Sequence, residues 1–200
     1  MTVEEYFSQS VGDFPKPNIS GVSGPWMPLG SMNVPYGKLW AGDPWIVTEE
    51  DGVVVNVKPG LCHVEIQGMD FEGHRRIARV RVYCDEVTDL QIKPMNKTVC
   101  IDVGELGVSD MVAISQAIEP DHYEDYMEDL NAASSGGLEY VAFDYEGKSF
   151  EMILIPGGLG DGEYDVFELV SNGKTVGLEI EFLPADFVLD TEVQTRDNES

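Results

Sequence analysis

At 200 residues the chain is long enough for one domain with a substantial core, and 42% hydrophobic residues with 10% aromatics exclude a disordered acidic chain despite a net charge of −25. That charge is uneven: residues 1–97 hold nine Lys/Arg against thirteen Asp/Glu, whereas residues 98–200 hold three against twenty-four. A field of this sign repels nucleic acid and acidic membranes and attracts cations or basic protein surfaces.

Residues 12–37 are rich in Pro and Gly and carry Trp26, Met27 and Leu29. The expectation is an irregular N-terminal arm over residues 1–36 that packs onto its own domain through these side chains, or serves as a docking segment. A single globular domain follows over 37–189. From residue 53 the hydrophobic period shifts to two, which predicts strands over 53–57, 61–67 and 76–83, separated by Lys58-Pro59-Gly60 and by the polar stretch 70–74. In the third of these, Ala78, Val80 and Val82 alternate with Ile77, Arg79, Arg81 and Tyr83, so one face is core and the other basic. With twelve basic residues in all, Arg75, Arg76, Arg79 and Arg81 are a concentration, expected to neutralise acidic residues across a sheet or at an interface rather than to bind an anion.

A further strand is predicted over 98–103. Ser109-Asp110 is placed to cap a short helix through Ile118, and Pro120-Asp121 to start a second one to about Ala133. In that helix Tyr123, Tyr126, Met127 and Leu130 form one apolar stripe, while His122, Glu124, Asp125, Glu128 and Asp129 form the other face with no Lys or Arg to compensate them. The face is either solvated or a contact surface for a basic partner. Two hairpins then follow, 138–144 with 149–155 around Glu146-Gly147, and 163–170 with 175–183 around Asn172-Gly173. Residues 190–200 read as a loose acidic tail. The fold class is therefore α+β and mainly β, antiparallel sheets or a sandwich built from hairpins, with one or two short helices at about 109–133.

Three segments taken together carry a likeness to a known family: GKLWAGDP at 37–44, IDVGELGVSD at 101–110, and GLGDGEYDVF at 158–167 followed by a hairpin containing NGK. In order and spacing they resemble the signatures of the bacterial domain-of-unknown-function family 4241, over about residues 29–187. The chain has Gly157-Gly158 where a Ser-Gly is usual in that family, and its centre at 119–137 is peculiar to it. What the resemblance implies is a mixed, mainly β fold; it brings no activity with it.

Asp43, Asp102, Asp110 and Asp161 stand at the matching positions, on Gly-rich or Pro-bounded turns. Brought together, such carboxylates would hold Ca²⁺ or Mg²⁺, because hard cations take oxygen ligands. The competing reading is turn chemistry, with Asp43 capping an Asp-Pro turn and Asp161 bonding nearby amides. No EF-hand, HExxH, GxSxG, Walker or dinucleotide loop occurs, and alternation puts Cys62 and His63 on opposite strand faces. Cys62, Cys84 and Cys100 are odd in number without a CxxC spacing and read as buried reduced thiols. No run approaches a membrane span, and the start MTVEEYFSQS lacks the features of a signal peptide, so the expected location is the cytoplasm, or a virion or other assembly filled from it.

These features converge on a non-enzymatic acidic interaction protein without a required cofactor, whose partner is a basic protein surface engaged by Glu124, Asp125, Glu128 and Asp129. Inhibition of a basic enzyme by nucleic-acid mimicry and membership of a viral or other large assembly are the two settings. The alternative is a Ca²⁺- or Mg²⁺-binding domain or metal-dependent hydrolase using the four turn aspartates.

Overall fold

The computed structural model describes residues 2–8, 19–48, 50–84, 87–118, 120–134 and 138–189. The tail expected at 190–200 lies outside the described residues. Antiparallel strands dominate, as the sequence predicts, and they form two facing sheets, with two helices covering the outer face of the smaller one.

The larger sheet contains β2 (Val22–Val34), β5 (Gly60–Phe71), β6 (His74–Tyr83), β12 (Lys174–Glu181), β11 (Gly162–Ser171) and β7 (Leu90–Ile101), in that order. The smaller has the order β4 (Val53–Asn56), β3 (Lys38–Gly42), β8 (Glu105–Asp110), β10 (Lys148–Pro156) and β9 (Glu139–Tyr145). Two residues of β1 (Ile19–Ser20) pair with β13 (Val188–Leu189), and a short helix, α1 (Val3–Ser8), packs beside β2 and β6. On the smaller sheet α2 (Met111–Ala117), a single 3-10 turn at Pro120–His122 and α3 (Tyr123–Ala133) complete the chain's helices among the described residues.

Alternation along the smaller sheet sorts its side chains into two cores. Leu39, Ala41, Val53, Val55, Leu106, Val108, Ile153 and Ile155 point into the space between the sheets, where they meet Val64, Ile66, Val80, Val82, Leu178 and Ile180. Trp40, Met152, Leu154, Phe143 and Phe150 point the other way, under Met111, Ile114, Tyr126 and Leu130 of the two helices. The smaller sheet is thus covered on both faces, which is why β8 is buried at all six of its positions and shows no amphipathic period in the sequence.

The two predicted hairpins form with turns centred on Glu146-Gly147 and Asn172-Gly173. Each turn has φ near +50° at its first central residue and +74° to +80° at the glycine, the type I′ geometry that matches strand twist.

The N-terminal segment differs from the expected irregular arm. Residues 22–34 form the 13-residue strand β2, paired along β5 with register shifts between Ser23 and Trp26 and between Pro28 and Gly30. Because β2 is an edge strand, its prolines cost no interior ladder bond, and the bulges absorb them. The guanidinium of Arg81 lies 4.1 Å from the centre of the Trp26 ring and fixes this strand to the sheet face. Likewise Arg75 donates to Asp70 at 2.8 Å and to the Tyr6 carbonyl at 2.5 Å, which ties α1 down.

The thiols also differ from expectation. Cys62 and Cys84 are both buried and form a disulfide, because the β5–β6 register that pairs His63 with Tyr83 sets their neighbours opposite each other. Cys100 is free and exposed. A residue count and spacing test carries no information on strand register, so the pair was invisible in the sequence.

Candidate functional site

The surface that stands out is built on the outer side of the smaller sheet by α2, α3 and the loop at 43–48. Asp110 starts α2: its Oδ1 accepts from the N–H of Val112 at 2.9 Å and of Ala113 at 3.3 Å, so two of the helix's unmet donors are satisfied. Its Oδ2 accepts from the Tyr36 N–H at 2.7 Å, joining the cap to the β2–β3 connection. In α3 the predicted stripe buries Tyr126 and Leu130 against the sheet aromatics. The Tyr126 hydroxyl donates to the Pro44 carbonyl at 2.5 Å, and burial pushes its proton affinity far above the ordinary tyrosine range.

The 43–48 loop is held from three sides. Asp43 accepts from the Trp45 N–H through Oδ1 and from the Asp102 N–H through Oδ2, both at 2.8 Å, and the Trp40 indole donates to the Thr48 carbonyl at 3.1 Å. Between this loop and the two helices runs a groove of about 600 Å³ lined by Trp45, Ile46, Val47, Ile114, Ile118 and Tyr123, with Thr48, Ser115 and Tyr126. Sequence reasoning did not single out this groove. The signal was there: Trp45-Ile46-Val47 is an apolar run outside any alternating strand, and Ile114 and Ile118 share a helix face at i and i+4.

The polar side of α3 carries the four predicted contact residues. Glu124, Asp125, Glu128 and Asp129 are all exposed, and no Lys or Arg among the described residues pairs with them. Asp129 accepts from the Tyr145 hydroxyl at 2.9 Å, which holds it at the sheet side of the helix. His122, which stacks on Tyr145, lies 3.8 Å from Glu146.

The basic stripe is committed elsewhere, as the sequence suggests. Arg79 pairs with Glu181 and lies 3.7 Å from Glu179, while Arg81 pairs with Glu65 at 2.6 Å, all on the larger sheet. Glu179 is 1% exposed, and its Oε2 has no hydrogen-bond partner among the described residues. Burial raises the Glu179 carboxyl above its ordinary range, more than Arg79 and Arg81 lower it.

The four turn aspartates are divided. The segments 37–44, 101–110 and 158–167 do meet at one corner, where Asp43 bonds the Asp102 N–H and Gly162 pairs with Ile101. Asp161 lies beside Gly104, exposed and without a hydrogen bond among the described residues. Asp110 sits apart, at the start of α2. Asp43 and Asp110 have both carboxylate oxygens engaged by backbone N–H groups, the turn and cap chemistry that competes with metal binding. Among the described residues no three His, Cys, Asp or Glu side chains are grouped to hold a metal ion. No helix among them is long and apolar enough to cross a membrane.

Compared with protein families, with curated proteins and with solved structures, the chain matches none.

Proposed function

We propose that this protein binds a basic protein partner through the acidic face of α3. The observation that carries the reading is that Glu124, Asp125 and Glu128 are exposed and unpaired by any Lys or Arg among the described residues, while Arg75, Arg79 and Arg81 are tied up on the larger sheet. Like charges at i and i+4 on one helix face repel one another, and a cationic surface relieves that repulsion while gaining its own attraction. In this reading the acidic face, rather than the N-terminal segment, is the docking element. An inhibitor that displaces nucleic acid and a component of a viral or other assembly are two forms of such a protein, and competition by DNA for the captured partner separates them.

The test is capture from the native host at low salt with three proteins: the natural chain, a Glu124→Lys/Asp125→Lys/Glu128→Lys variant, and an Asp161→Lys/Glu163→Lys/Asp165→Lys variant of equal charge change. A basic protein held by the natural chain and the second variant, lost from the first and released by rising salt, supports the reading. Equal capture by all three overturns it.

A further inference from the structure

The groove beside α3 has a chemistry of its own, and it refines the partner's description; the inference rests on the reading above. Its walls are mainly apolar, yet Ile46 is 42% and Tyr123 is 47% exposed, so one large hydrophobic side chain stands open on each of two separate elements. The volume suits the insertion of a few large side chains. The segments that line it carry acidic charge only. No Lys or Arg occurs at residues 39–57 or 98–147, the stretches that supply every lining residue, whereas Glu50, Asp51, Asp121, Glu124 and Asp125 lie within a few residues of the lining.

An apolar floor with an acidic surround complements an apolar stripe with a basic surround. It opposes an anionic membrane, whose headgroups the same carboxylates would repel. The walls are two helices and a loop, so no open strand edge is offered to an extended peptide; the free edges of the smaller sheet are β4 and β9. A helix laying its apolar face into such a groove is the recognition mode that fits. We propose that the groove formed by the 45–48 loop, α2 and α3 receives the apolar face of an amphipathic helix on the partner, flanked by lysines or arginines that meet the acidic face of α3.

Two labelled synthetic peptides of about four helical turns test this. Both contain the same Leu and Lys residues, one with Leu gathered on a single helical face and the other with Leu spread all round. Fluorescence anisotropy is followed on titration with the full chain, with Ser115→Trp, which fills the groove from an exposed position, with Ile46→Ala, which removes an exposed apolar contact, and with the Glu124→Lys/Asp125→Lys/Glu128→Lys variant. The amphipathic peptide is expected to bind the natural chain about tenfold more tightly than its isomer, and either groove variant to erase that preference while leaving the salt-sensitive binding of the isomer in place. Equal affinity for the two peptides, or a preference untouched by both groove variants, overturns the groove inference and leaves the acidic-face reading standing. Binding of both peptides undiminished by charge reversal on α3 overturns the acidic-face reading itself.

Discussion

Tyr126 and Pro44 lie 82 residues apart in the chain and are joined by a buried 2.5 Å hydrogen bond from the tyrosine hydroxyl to the proline carbonyl. This bond couples α3, which presents the acidic face, to the loop that forms the opposite wall of the groove. Tyr126→Phe keeps the ring packing against Phe143 and Phe150 and leaves the Pro44 carbonyl without its donor. A loss of about 1–3 kcal/mol is expected in urea unfolding. An unchanged midpoint would mean the loop is held by Asp43 and Trp40 alone.

The turn aspartates separate by their backbone bonds. Asp43→Ala strands the Trp45 and Asp102 N–H groups, and Asp110→Ala strands those of Tyr36, Val112 and Ala113, so each is expected to cost about 2 kcal/mol or more. Asp161→Ala, at an exposed carboxylate, should stay within about 0.5 kcal/mol. Thermal melts in excess Ca²⁺, Mg²⁺ or EDTA should coincide for the natural chain. A melting temperature that rises with either cation, and no longer does so in Asp43→Ala and Asp161→Ala, would favour the metal-binding reading instead.

Glu179 confers a pH dependence of defined sign. Its folded carboxyl is raised above the ordinary 4.5, so the folded state holds the proton more tightly than the unfolded chain. The group's contribution to stability is full below the unfolded value and is lost as pH rises through the folded one. Glu179→Gln cannot ionise, so its melting temperature relative to the natural chain should climb as pH is raised from 4 towards neutrality, about the ordinary carboxylate value. A difference that is flat with pH, or that falls, would show the carboxylate to be fully compensated by Arg79 and Arg81.

The cysteines give a chemical readout of the β5–β6 register. Alkylation under denaturing, non-reducing conditions should modify Cys100 alone, and prior reduction should open Cys62 and Cys84 as well. Modification of all three without reductant would return these two to the buried thiols that their spacing suggests.

Several elements were legible in the sequence because their information is local. Period-two alternation marked β5, β6 and β12, paired φ-positive turn residues marked the two hairpins, and an Asp before an apolar helical period marked the start of α2. The acidic face of α3 followed from its helical period alone. Strand β2 was hidden because prolines and glycines argue against a strand unless it lies at an edge and carries bulges, and edge position is a property of the whole sheet. Strand β8 was hidden because burial on both faces erases alternation.

By itself, then, the sequence determined the antiparallel, mainly β character, the capped helices and the sign and placement of the charge, all of which depend on neighbours within a turn or two of chain. Only the tertiary structure decided that Asp43 and Asp102 share one corner while Asp110 stands apart, that Cys62 meets Cys84, and that the 45–48 loop faces α2 and α3 across an open groove. Each of these is set by strand register and by the packing of distant segments on one sheet, and a one-residue slip would turn every side chain involved to the opposite face.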